Sequence, residues 1–249
     1  MKALGVIGYH RTGKTTVATS IIRELTRQGY NVCSIKDIHS ETYRSDTEGK
    51  NTYLHQEAGS KAVFAKGLYD SALLFPKSLN LAEMVYFLNA DYLIIEGLQN
   101  APVPKIVCAE NTSQLEELVD DTCIGISGII ASQRESFQGL PVFSLPDDLA
   151  VLISTVQEKS FDLLPVAEPE CCSECGKDCY TMAGDIVQGR AKRIDCVLDN
   201  KAELKLWVGE REIVIVPFVQ KLLQDIVCSF VNNLKDVDPA GKIKLEIKR

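Results

Sequence analysis

Near its amino terminus the chain reads Gly8-Tyr9-His10-Arg11-Thr12-Gly13-Lys14-Thr15, a phosphate-binding loop of the form G-x-x-x-x-G-K-[ST]. The residue types state the chemistry. Glycines at 8 and 13 keep side chains out of the way, so the backbone N–H groups of residues 8–14 can wrap a polyphosphate at the positive end of a following helix. Lys14 would reach the β- and γ-phosphates and the Thr15 hydroxyl would ligate Mg²⁺, with Tyr9, His10, Arg11, Thr12 and Thr16 around the same anion. A second constellation lies far downstream. Cys172, Cys175 and Cys179 are followed after sixteen residues by Cys196, and Cys171 competes with Cys172 for a place in the set. Four thiolates at this density suit a [4Fe–4S] cluster or a tetrahedral zinc. A single cysteine trailing after a helix favours the cluster over a zinc ribbon, which pairs two C-x2-C knuckles.

The loop needs a strand before it and a helix after it. Residues 3–7 are an apolar run that reads as a buried strand; Val17, Ile21, Ile22 and Leu25 mark the apolar face of a helix over 15–28, closed by Gly29. Strand signals at 32–35, 62–65, 72–74, 92–95, 105–108, 123–130 and 141–145 alternate with helix signals at 53–58, 79–88, 115–118 and 147–156. This alternation predicts an α/β fold, a doubly wound and mostly parallel sheet of the P-loop NTPase kind, over residues 1–160. Residues 161–170, with two prolines and alternating acids, read as a linker to the cysteine-rich segment at 171–200. Residues 201–249 then read as a small α+β unit. A hairpin of 204–208 and 212–216 turns at Gly209-Glu210, Pro217 opens a helix with the apolar face Phe218, Leu222, Leu223, Ile226, Phe230, Val231 and Leu234, and 242–247 form a last strand.

Composition narrows the classes of partner. With 249 residues, 45% of them hydrophobic and a net charge of −7, the chain can bury a core and lacks the clustered Lys and Arg that a nucleic-acid partner requires. No stretch reaches the roughly 20 apolar residues of a membrane span. Strand 1 begins almost at once, with no charged n-region and cleavage site before it, so the expected compartment is the cytoplasm. There the nine cysteines would not form disulfides. Cys33, Cys108, Cys123 and Cys228, scattered in apolar surroundings, read as small core residues.

Four further blocks choose among the many proteins with such a loop: Ser34-Ile35-Lys36-Asp37-Ile38-His39, Asp46-Thr47-Glu48-Gly49-Lys50-Asn51-Thr52-Tyr53, Glu57-Ala58-Gly59-Ser60 and Tyr92-Leu93-Ile94-Ile95-Glu96-Gly97. Their order resembles the molybdopterin-guanine dinucleotide biosynthesis protein B family, MobB, over residues 1–157. The resemblance implies a GTP-binding, homodimeric protein that assists attachment of GMP to molybdopterin. Its implied partners are a molybdopterin-guanylyltransferase and the molybdo- or tungsto-enzyme apo-protein. Family roles pass to the matching positions Lys36, His39, Asp46, Gly49, Lys50, Ala58, Gly59, Glu96 and Gly97. Where the family has a histidine after the lysine this chain has Asp37, and where it has a third histidine this chain has Ser40. In place of Gly-Lys-Asp-Ser it has Gly49-Lys50-Asn51-Thr52, and asparagine cannot act as an anionic ligand or base.

Physical reasons stand beside the inherited roles. Glu96 ends an apolar strand at the edge where ligands of such folds bind, so it would hold Mg²⁺ or orient a water, unless it is only a solvated strand end. Asp46 is either a second metal-side acid or an Asx-turn residue before Gly49. His39 would contact phosphate or a pterin-like ligand, or is a plain loop histidine. Catalysis would be weak GTP hydrolysis resting on Lys14 and Glu96, with Gly97, Lys36 and His39 bordering the nucleotide. Guanine selection has no motif of its own: Ser132-Gln133 follow residues 128–131, and Asp147 is the next acid after a strand. The cysteine spacing resembles the small four-cysteine [4Fe–4S] domain of corrinoid iron-sulfur proteins, with an interval one residue shorter; Ala183, Ile186 and Gly189 match its helix. Two other classes fit the same residues: a nucleotide-dependent metallochaperone or redox-sensing switch, and a small-molecule kinase, which lacks its arginine-rich lid here.

Overall fold

The computed structural model describes residues 1–165, 175–196, 204, 206–208, 211–213, 217–234 and 243–245. In chain order its elements are β1 (Lys2–Gly8), α1 (Lys14–Arg27), β2 (Val32–Lys36), α2 (Asn51–Glu57), β3 (Val63–Lys66), β4 (Ser71–Leu74), α3 (Leu81–Val85), β5 (Tyr92–Glu96), β6 (Lys105–Cys108), α4 (Thr112–Leu118) and β7 (Cys123–Ser127). There follow β8 (Ser136–Phe137), β9 (Leu140–Pro141), α5 (Leu149–Lys159), α6 (Cys179–Val187), β10 (Leu206–Val208), β11 (Arg211–Ile213) and α7 (Pro217–Asn232). The chain divides into two units, Met1–Val166 with Cys179–Arg193, and Ala167–Asp178 with Ile194–Arg249.

The first unit is built on a five-stranded sheet in the order β2-β5-β1-β6-β7, every pairing parallel. All residues of β5, β6 and β7 are buried, as continuous apolar runs in a doubly covered sheet must be. Period two divides β1 between the faces: Leu4 and Val6 meet Val17, Ile21 and Leu25 of α1 and Leu152 and Val156 of α5. Ile7 packs on the other side with Leu115 and Leu118 of α4, and Ala3 with Leu81 and Val103. The expected α/β architecture with a mostly parallel central sheet is therefore the observed one.

Several elements differ from the expectation for local reasons. Segments 62–65 and 72–74, read as strands of the main sheet, pair antiparallel with each other in a separate hairpin, Val63 opposite Leu74. Too few residues separate them for the crossover that a parallel pairing needs. The helix expected over 79–88 is confined to Leu81–Val85, fixed by a capping box in which Asn80 and Glu83 exchange hydrogen bonds. The strand expected over 123–130 stops at Ser127, because Gly128 turns to φ 87° and opens a short 3-10 turn at Ile129–Ser132. Of the strand expected over 141–145, Pro141 is paired within β9, antiparallel to β8, and Val142 bridges Ile126 of β7.

Residues 161–165 stay on the first unit: Leu163 and Leu164 are buried, and the Leu163 amide donates to the Met1 carbonyl. In the second unit β10 and β11 form the expected hairpin in shortened form and α7 begins at Pro217. Ile243 to Leu245, inside the strand expected over 242–247, carry no strand; the rest of that segment lies outside the described residues. Cys108 and Cys123 are core residues as expected, whereas Cys33 and Cys228 are only half-buried.

Candidate nucleotide site

The phosphate loop joins β1 to α1 at the carboxyl end of the sheet, and its shape is set by close contacts. Gly8 lies at φ 147°, where an added Cβ would stand 2.1 Å from the Cys108 carbonyl oxygen of β6. At Gly13, φ 96°, a Cβ would come within 3.2 Å of Gly128. Gly128 itself closes the loop from the β7 side: its own Cβ position is 2.2 Å from the Thr12 carbonyl oxygen, which accepts the Ile129 amide at 3.2 Å. Thr12 is buried, and its hydroxyl donates to the Tyr9 carbonyl at 3.0 Å. Arg11 is the one non-glycine loop residue at positive φ, 61°. Tyr9, His10, Arg11, Thr15 and Thr16 are exposed, and the Glu117 carboxylate of α4 raises the pKa of Tyr9.

Charge converges on Glu96. The register pairs Val6 of β1 and Lys36 of β2 with Glu96 at the end of β5, so three strand ends meet beside the loop. Glu96 is 8% exposed; its Oε1 accepts the Thr15 hydroxyl at 2.7 Å and an ion pair from the Lys36 ammonium. Burial alone would raise its pKa, but the hydrogen bonds from Lys36 and Thr15, with the charges of Lys36 and Lys14, outweigh it and hold the carboxyl below the ordinary value. Lys14 donates to the Tyr9 carbonyl. Burial draws its pKa below the ordinary lysine value, against the pull of Cys108 and Glu96 and with the repulsion of Lys36. The Cys108 thiol beneath the loop is pushed up to about 12 by burial and stays protonated. A carboxylate kept ionised next to a threonine hydroxyl is a hard-oxygen donor set of the kind that suits Mg²⁺.

Gly97 continues the turn at φ 106°, where a Cβ would lie 3.2 Å from Asp37. Asp37 in turn bonds the His39 ring, its Oδ2 being 2.7 Å from Nε2, so the aspartate that departs from the family pattern orients the neighbouring histidine. Asp46 is occupied locally. Its carboxylate accepts from the Thr47 amide at 2.8 Å, the Thr52 hydroxyl at 2.9 Å and the Gln56 amide at 3.3 Å, tying the 46–50 turn to α2. Asn51 is the exposed first residue of that helix.

The model of the family described as molybdopterin guanine dinucleotide synthesis protein B matches residues 3–131.

The chain belongs to the MobB family.

A Methanocaldococcus jannaschii protein that carries the name of a molybdopterin-guanine dinucleotide biosynthesis adapter is 28% identical over 99% of this chain and 97% of its own length. A Bacillus subtilis protein with the same style of name is 33% identical over 59% of this chain and 87% of its own. The crystal structure of Bacillus subtilis MobB aligns with a TM-score of 0.53 at 29% identity, covering 62% of this chain and 98% of that one. The MobB match thus ends within the first unit, while the archaeal relative also spans the cysteine-rich and carboxyl-terminal segments.

The structure brings the residues of 8–16, Lys36, Glu96 and Gly97 to one end of the sheet and places His39 on the loop beyond β2. Two residues have roles that the sequence does not show. Gly128 clamps the loop; its only trace is a glycine directly after an apolar strand. Lys105, at the other end of the sheet, reads from the sequence only as the first residue of a strand; it is wholly buried, and its partner Tyr180 lies 75 residues away. Cys171 and Cys172 lie outside the described residues. Among the described residues no group of three or more His, Cys, Asp or Glu side chains is placed to hold a metal, and no helix is long and apolar enough to cross a membrane.

Proposed function

We propose that the chain is a GTP-binding adapter in molybdopterin guanine dinucleotide biosynthesis. The observation that carries the nucleotide reading is the meeting of the Thr15 hydroxyl with the Glu96 carboxylate at 2.7 Å beside the loop. The loop amides and Lys14 would hold the phosphates, and Thr15 and Glu96 would hold Mg²⁺, which supplies charge neutralisation on the phosphate oxygens. Asp46, whose carboxylate accepts from Thr47 beside it and from Thr52 and Gln56 of α2, could join such a site only after the 46–50 turn rearranges. Lys36 neutralises Glu96 in this arrangement, so the carboxylate is poised to exchange one cation for another. Hydrolysis would be weak and would rest on Lys14 and Glu96. Preference for guanine over adenine rests on family membership. A homodimer serving a molybdopterin-guanylyltransferase or a molybdo- or tungsto-enzyme apo-protein is the partner arrangement that fits an adapter. Titration of a fluorescent GTP analogue with Mg²⁺ tests the reading: Lys14→Ala should lower affinity at least about 100-fold, having removed charged hydrogen bonds to two phosphates. Retained affinity would sink it.

The archaeal relative's full-length match favours giving the extension a part in that function. In this reading Cys172, Cys175, Cys179 and Cys196, with Cys171 as alternate, bind a [4Fe–4S] cluster or zinc, and nucleotide state governs transfer of a cofactor to an apo-enzyme. Anaerobic purification followed by iron and zinc analysis decides it; protein free of both metals would remove the reading.

A further inference from the structure

Lys105 is 0% exposed, at the amino end of β6, opposite the end that carries the phosphate loop. Its stem passes over Gly5 of β1, where a Cβ would lie 3.1 Å from the lysine Cγ, and the β6–β7 register shifts at Lys105. The ammonium donates to the Tyr180 hydroxyl at 2.5 Å and sits 4.0 Å from the centre of that ring. Tyr180 donates onward to Asp120, whose other oxygen is held by Thr122 through its amide at 2.8 Å and its hydroxyl at 2.5 Å. Tyr180 is the second residue of α6, directly after Cys179. The far end of the helix is tied to the same loop: Arg190 pairs with Asp121 and, at 2.6 Å, with Asp185, while Gln188 donates to the Asp121 carbonyl at 3.0 Å. A Cβ on Gly184 would stand 3.0 Å from Asp121, so the helix approaches closely.

We propose that the Lys105–Tyr180–Asp120 cluster is a latch that seats α6 on the nucleotide-binding unit and so fixes the position of Cys179. The part of this that makes Cys179 a metal donor rests on the reading of the cysteines above; the latch does not. The physical reason is asymmetric. A buried ammonium with a hydroxyl acceptor and an aromatic face is better satisfied than the same ammonium without its acceptor, which leaving the interface would rehydrate. Lys105 and Tyr180 are therefore positioning residues: they decide where the first thiol of α6 stands without touching the nucleotide.

The test uses the full chain without added metal, and reads amide hydrogen exchange over α6 together with iodoacetamide labelling of Cys179 by mass spectrometry. Tyr180→Phe keeps the ring but strands the ammonium, and should speed both exchange and labelling about tenfold or more, with GTP affinity changed less than about twofold. Lys105→Met added to Tyr180→Phe removes the stranded charge and should return both rates to within about threefold of the wild type. Rates unmoved by Tyr180→Phe, or a double variant as labile as the single one, would overturn the latch. Metal analysis of the same preparations is separate: a metal-free protein with the rescue pattern removes the metal role of Cys179 and leaves the latch standing.

Discussion

At the carboxyl end of the parallel sheet the cations Lys14 and Lys36 are partly reachable from solvent; Lys36 shares the Glu96 carboxylate with the Thr15 hydroxyl and Lys14 rests on the Tyr9 carbonyl, so each has another arrangement to move to. At the amino end Lys105 is sealed from water, and its hydroxyl acceptor comes from a helix that the matched family region does not include. The first end is shaped by backbone: glycines, carbonyls and amides leave room for an anion, and the side chains supply charge on top. The second is shaped by side chains filling a closed volume. Readiness for a ligand therefore follows from which groups are free to exchange partners, since both ends contain lysine, acid and hydroxyl in similar numbers.

The sharpest way to break the backbone half of this comparison is Gly8→Ala. Its Cβ would meet the Cys108 carbonyl at 2.1 Å, and at φ 147° no L side chain is comfortable. We expect roughly 4 kcal/mol of destabilisation in urea unfolding, a large part of a typical domain's stability. Gly128→Ala, 2.2 Å from the Thr12 carbonyl, should behave alike. Gly49→Ala, at φ 78° with no atom near, should lose only about 1 kcal/mol. Equal effects at all three would show that the loop is not held by these contacts.

Next in size is a pH effect at the other end. Burial, against the attraction of Asp120 and Cys123, lowers the Lys105 pKa to about 8. A base whose folded pKa is depressed binds its proton less tightly than the unfolded chain does. Between about pH 8 and 10.5 the unfolded state therefore holds more protons, and stability rises with pH through that window, by up to about 3 kcal/mol. The difference in unfolding free energy between wild type and Lys105→Met should show this slope. A difference that stays flat from pH 7 to 10.5 would mean that the ammonium is not penalised where it lies.

The phosphate loop, the apolar runs of the parallel strands and the place of Glu96 at a strand end are legible in the sequence, because each is local, whereas the pairing of Lys36 with Glu96 is not. What pairs with what is not local. The segments at 62–65 and 72–74 carry good strand composition, and nothing within them says that they pair with each other in place of the main sheet. From the sequence Asp46 reads as either a metal-side acid or a turn residue, and in the structure its carboxylate accepts three local bonds, from Thr47, Thr52 and Gln56. Lys105 was illegible for the opposite reason. A lysine at the head of an apolar strand is ordinary until the residue that covers it is known, and Tyr180 belongs to a segment read for its cysteines.

A smaller effect should separate the roles of Glu96. Its carboxyl is held below the ordinary value, so the stability it contributes is complete above the unfolded pKa near 4.5 and is lost as pH falls through the folded one. Glu96→Gln removes that charge while keeping the shape and an oxygen for Thr15. If the site takes Mg²⁺, the variant should lose about tenfold of the Mg²⁺-dependent part of GTP affinity and little of the affinity measured in EDTA. An equal loss with and without Mg²⁺ would instead make Glu96 a brace for Lys36.

The smallest expected change has the opposite sign. Arg11 holds φ 61° in a loop whose other positive-φ positions, Gly8 and Gly13, are glycines. A Cβ in that region costs about 1 kcal/mol, and glycine gives back part of this through the greater freedom of its unfolded chain. Arg11→Gly should therefore stabilise the protein by no more than about 1 kcal/mol, seen as a rise of a few degrees in Tm. If the arginine also meets the bound phosphates, the same variant should bind GTP more weakly with a shallower salt dependence, as loss of one screened cation requires. A gain in stability with unchanged affinity and salt slope would show that the loop's grip on the anion is carried by Lys14 and the backbone, and that Arg11 is tolerated there without being used.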